Sequence, residues 1–152
     1  MTNQITSTEI QNIQQLMQSY NAPEAGEVTI AISTLEKHDG DFETSFNELW
    51  DERVGSLGTY SPGDKSLWQV TLKELRKEVC GDEGFRGKVK EYSKNPGSAP
   101  LLTGVIVSLV GIAGAHGLPL DPAIATIIVL YLLKIGLNVF CEYTEPKAEN
   151  PS

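Results

Sequence analysis

Two histidines and two cysteines are where chemistry would have to begin in this chain of 152 residues. Neither His38 nor His116 stands in a recognisable triad, and two imidazoles are few to activate any serine or thiol nucleophile. The run His38-Asp39-Gly40-Asp41-Phe42-Glu43 gathers carboxylates as a cation site would. It lacks the length and spacing of an EF-hand loop. One helix ending at Gly40 and a second capped by Asp41 account for the same residues. Gly111-Ile112-Ala113-Gly114-Ala115-His116-Gly117 is glycine-rich but lies in an apolar run, without the preceding strand and following helix of a phosphate loop. Cys80 and Cys141 have no metal-ligand spacing around them. The N-terminus has neither a basic nor an apolar leader segment, and no permissive Asn-x-Ser/Thr acceptor occurs, so the expectation is reduced, intracellular thiols. No catalytic, cofactor-binding or metal-binding residues are assigned, and a non-enzyme is expected.

The charge pattern narrows the partners. The formal net charge is -8, which disfavours nucleic acid, where affinity rests on cationic side chains. Residues 1–72 hold most of the acidic excess, whereas residues 73–98 are mildly basic.

Any such residue must be positioned by helices. Thr6-Ser7-Thr8 offers an N-cap, with Glu9 or Gln11 placed to complete a capping box. Ile10, Ile13, Leu16 or Met17, and Tyr20 then recur at helical spacing. Asn21 and Pro23 separate this helix from a second, striped by Val28, Ala31, Ile32 and Leu35. A third follows Asp41, with Phe42, Phe46, Leu49 and Trp50 on one face. Residues 1–54 are therefore expected to form a three-helix bundle. Residues 55–65 read as a turn-rich linker. In residues 66–98, Ser66 and Gln69 are a capping pair for a fourth helix, lined by Trp68, Leu72, Leu75 and Val79. A short fifth helix runs from Asp82 to Tyr92 on Phe85, Val89 and Tyr92, and Asn95-Pro96-Gly97-Ser98 is a stop.

The segment 9–52 resembles a ubiquitin-associated (UBA-like) bundle. Leu16-Met17, Ala31-Ile32-Ser33-Thr34-Leu35, Gly40-Asp41 and Phe46 with Leu49-Trp50 carry the resemblance, over less than a third of the chain. The loop after the first helix reads Ser19-Tyr20-Asn21-Ala22, without the Met-Gly-Phe/Tyr pattern with which that family grips ubiquitin. The resemblance implies a three-helix interaction module and no ubiquitin binding.

Beyond the stop, Asn95 to Leu120 carries no formal charge. Leu101–Ala115 and Ala123–Cys141 are apolar all round, about 22 and 28 Å long as helices, which just about matches a bilayer core. Residues 99–143 are expected to form an apolar helical hairpin, transmembrane, turned by Gly117–Pro122, with residues 144–152 a disordered tail. Gly104, Ser108, Gly111 and Ala115 are expected to be the hairpin's close-packing face. Lys134, Asn138 and Glu142, at i, i+4 and i+8, make a polar seam. Arg86, Lys88, Lys90 and Lys94 precede the hairpin and are placed to contact lipid headgroups. Their position puts the head and tail in the cytoplasm and His116–Pro122 on the far side.

The fold class expected is thus all-α, an amphipathic helical head followed by a membrane hairpin. The function expected is a small membrane-anchored adaptor whose partners are membrane lipids, a protein recognised by the acidic head and, through the hairpin, further copies in a homo-oligomer. One alternative is a membrane-perturbing effector that oligomerises through its hairpin. Another is a soluble helical binding module with the hairpin buried at its centre.

Overall fold

Each amphipathic stripe becomes a helix, and the deepest of the helices is the second apolar run. The computed structural model describes residues 4–18, 20, 24–55 and 67–143. Among them the chain is all-helical: α1 (Ser7–Gln18), α2 (Ala25–Lys37), α3 (Phe42–Arg53), α4 (Leu67–Cys80), α5 (Glu83–Lys94), α6 (Ala99–Ala115), α7 (Pro122–Ile135) and α8 (Leu137–Tyr143). The expected linker at 55–65 lies outside the described residues except for Gly55. The capping residue Ser66 and the tail 144–152 also lie outside them.

Local chemistry sets the helix ends. Thr6 and Glu9 form the capping box: the Thr6 N–H donates to Glu9 Oε1 at 2.9 Å, and the Glu9 N–H to Thr6 Oγ1 at 3.1 Å. Asp41, Asp82, Ser98 and Asp121 cap α3, α5, α6 and α7 through their side chains. Between α2 and α3, Gly40 takes φ +85° and accepts a 2.9 Å hydrogen bond from the Ile5 N–H. This contact pins the segment before α1 to the turn after α2.

The stripes of α2 and α3 close over α7. Ten consecutive residues of α7, Ala123 to Leu132, are buried, and the helix lies against α2, α3, α6 and α8. Tyr131 anchors this packing, with ring centroids 5.5 Å from Phe42, 5.1 Å from Trp68 and 6.5 Å from Phe140, all edge-on. One continuous apolar core runs from Ile5 to Phe140.

The expectation of a transmembrane hairpin is not met: among the described residues, no helix is long and apolar enough to cross a membrane. The second run is shortened by Gly136, whose φ of +93° ends α7 while its N–H donates to Leu132 O at 2.8 Å. That left-handed conformation favours glycine and stops the helix. The reversal between α6 and α7 also lies against the head. Asp121 Oδ2 receives Arg53 Nη1 at 2.7 Å, and His116 Nε2 is 2.9 Å from Glu78 Oε1. A reversal on the far side of a bilayer could not reach α3 and α4, so the expected orientation does not describe this arrangement.

The thiols differ from expectation as well. Cys80 and Cys141 form a disulfide with Cα atoms 5.9 Å apart. Their sequence separation of 61 hid the pairing that the folded α4 and α8 create. In chain-entropy terms a loop of that length is worth about 4 kcal/mol.

Candidate interaction surface

Helix α6 shows two opposed faces. Leu102, Val105, Ile106, Leu109 and Ala113 are buried in the core. Pro100, Gly104, Val107, Ser108, Gly111, Gly114 and Ala115 are exposed or half-exposed and follow helical spacing down the other side. This outward face has no charged side chain, and Val107 is 45% exposed. The expected packing face, Gly104, Ser108, Gly111 and Ala115, is therefore not the seam of the hairpin, which is made by the larger residues. A Cβ added at Gly104, Gly111 or Gly114 would touch nothing elsewhere in the fold within 4 Å.

That emptiness has an energetic meaning. Glycine inside a helix costs about 1 kcal/mol relative to alanine. Here no positive φ and no close neighbour among the described residues requires it at any of the three positions. Gly104→Ala, Gly111→Ala and Gly114→Ala are each expected to raise the unfolding free energy by about 0.5–1 kcal/mol, measured by urea denaturation. A loss of stability at these positions would mean that the glycines serve the fold itself.

The expected polar seam is dispersed by the break at Gly136. Lys134 Nζ reaches Glu9 Oε1 on α1 at 2.8 Å. Asn138 accepts from Arg86 Nη2 at 3.1 Å, and Glu142 is exposed. Of the four expected headgroup contacts, Lys88, Lys90 and Lys94 are exposed on α5. Arg86 instead turns inward, with Nη1 3.2 Å from Cys80 O and 3.5 Å from Cys141 Sγ. A groove of about 280 Å³ opens between α1 and α7, with Ile13, Leu16, Leu130 and Leu133 among its walls and the Glu9–Lys134 pair at its edge.

Other charged groups pair across elements. Glu48 accepts from Lys37 Nζ at 2.9 Å and lies 2.8 Å from His38 Nε2, while Asp41 caps α3. Among the described residues, no group of three His, Cys, Asp or Glu side chains is gathered to hold a metal ion. Arg53 bridges Glu27 on α2 and Asp121 on the reversal.

Two carboxylates titrate below their ordinary range. For Glu9, burial opposes ionisation, but hydrogen bonds from Lys134 and from Thr6 outweigh it. For Glu48 the hydrogen bonds from Lys37 and His38 do the same. Both groups bind protons more weakly folded than unfolded. Their stabilisation is therefore present above the ordinary carboxylate value of about 4.3 and is lost as pH falls through the lower folded values. The urea midpoint is expected to drop between pH 6 and pH 3, and a Glu9→Gln/Glu48→Gln variant should show a shallower drop. Equal slopes in the two proteins would remove these pairs from the acid response.

Sequence reasoning missed Val107 and Gly114 on the outward face, and Glu9 and Arg86 as partners of the C-terminal segment. The exposed residues of α6 were legible as a period; which side faced inward depended on where α7 packs. Comparison of the chain with protein-family models, curated proteins and solved structures returned no match.

Proposed function

We propose that this chain is a helical protein-interaction module that docks an apolar partner helix along the outward face of α6. The observation that supports this reading is the set of glycines at 104, 111 and 114, without a close neighbour among the described residues and placed on an uncharged, outward helix face. Small residues let two helix backbones approach closely, and uncharged apolar patches mark contact surfaces. The acidic excess of α1 to α3 keeps the module dispersed and disfavours nucleic acid.

The test places a photo-reactive side chain at Val107 in the full chain, with a control at the exposed Lys88, inside the cells that make the protein. A covalent adduct from position 107 but not from 88 is expected. A Gly104→Leu/Gly111→Leu variant should lose that adduct at a thermal midpoint no lower than that of the parent chain. Absence of any adduct specific to 107 would sink the reading. Sedimentation of the adduct distinguishes a second copy from another protein.

A second reading is the membrane-anchored adaptor or membrane-perturbing effector, and it draws on the uncharged stretch from Asn95 to Leu120 together with the apolar run of α7. It requires α7 to leave α2 and α3, and Asp121 and His116 to leave Arg53 and Glu78. Resistance of the full chain to alkaline carbonate extraction would favour it, and release by carbonate would remove it.

A further inference from the structure

We infer that the Cys80–Cys141 disulfide is a reducible clasp that holds α8 on the body of the fold, and that a dithiol reductant releases this helix. The inference does not depend on the docking role of α6. Helix α8 has seven residues, Leu137–Tyr143, too few to be stable alone. It is joined to α7 through Gly136, whose backbone is already in a non-helical conformation. Among the described residues its other attachments include the buried Phe140 beside Tyr131, Leu137 packed on the core, and Asn138 bonded to Arg86. Val139 is 43% exposed, so this side of α8 contributes little burial. The disulfide is thus the one covalent tie across the contact between α4 and α8.

The surroundings of the bond suit exchange. Cys80 and Cys141 are both only partly buried, which leaves a path for an attacking thiolate. Arg86 Nη1 lies 3.5 Å from Cys141 Sγ, where a guanidinium stabilises a departing thiolate. The sequence of steps follows from that asymmetry. A thiolate of the dithiol attacks Cys80 Sγ, forming a mixed disulfide and expelling Cys141 as a thiolate beside Arg86. The second thiol of the reductant then attacks its own sulfur in the mixed disulfide and frees Cys80. Two electrons and two protons pass from the dithiol, which ends as a disulfide, to the two cysteines. With the clasp open, α8 swings about Gly136 and withdraws Phe140 from the aromatic cluster around Tyr131 and Trp68.

The test uses the full chain, oxidised and then treated with dithiothreitol. Thiol titration should rise from none to two per chain. Hydrogen exchange of residues 137–143 should then approach the free-chain rate while α2, α3 and α7 remain protected, their exchange quickened only by the lost loop-closure contribution, and Trp68 emission should change. A Cys80→Ser/Cys141→Ser variant should match the reduced protein under both conditions. Arg86→Gln should slow reduction roughly fivefold. Three results overturn the inference: no disulfide in the oxidised chain, equal protection of α8 before and after reduction, or loss of protection throughout the fold on reduction. The last would make the bond a staple of the whole core rather than a clasp on one helix.

Discussion

Replacing Tyr131 by alanine is expected to lower the unfolding free energy by about 3–5 kcal/mol, the range for deleting a large buried aromatic ring. Its ring meets Phe42, Trp68 and Phe140 edge-on, so one substitution opens the junction of α3, α4, α7 and α8. Such a loss is a large share of the total for a domain of this size. Urea denaturation followed by tryptophan emission measures it, because Trp68 lies 5.1 Å from the ring. A cost below about 1 kcal/mol would mean that α7 is not at the centre of the core.

Gly40→Ala is the second large effect, and its cause is backbone geometry rather than lost packing. At φ +85° an added Cβ is strained, and it would also overlap the Ile5 carbonyl oxygen. Relief requires the segment before α1 to move, which breaks the hydrogen bond from the Ile5 N–H to Gly40 O and disturbs the capping box that follows. We expect a destabilisation of about 2–4 kcal/mol, combining strain at a left-handed position with loss of a buried contact. Gly97→Ala is the control: it has a negative φ and open space around it, and is expected to change stability by less than about 0.5 kcal/mol. Thermal midpoints of the two variants give the comparison, and equal midpoints would refute the argument from strain.

The individual helices were legible because their signals are local. Val28, Ala31, Ile32 and Leu35 announced the buried face of α2, and Asp41 and Asp82 announced the starts of α3 and α5. The assembly was not legible, for a reason that composition conceals. An all-apolar helix satisfies its backbone internally and is accepted equally by lipid and by a protein core. Deciding between them required knowing that the α2 and α3 stripes turn toward α7, and no period in a single helix records its neighbour. Gly136 was visible in the sequence, but its role in ending α7 rests on a positive φ. The pairings of Cys80 with Cys141, 61 residues apart, and of Glu9 with Lys134, 125 apart, exist only once the helices have packed. The small residues of α6 were found by their spacing and assigned to the wrong neighbour.

The burial of α7 among helices that precede it in the chain also sets an order of events during synthesis. Helices α1 to α6 emerge from the ribosome before residues 122–135, yet α2 and α3 have their main apolar partner in that later segment. At about 5–20 residues per second, the nascent chain carries unburied stripes for several seconds before α7 arrives to fill the space they enclose. The core is therefore completed from its middle, late, by insertion of the helix that is buried along ten consecutive residues, and the interval before that insertion is when a holding chaperone would matter most.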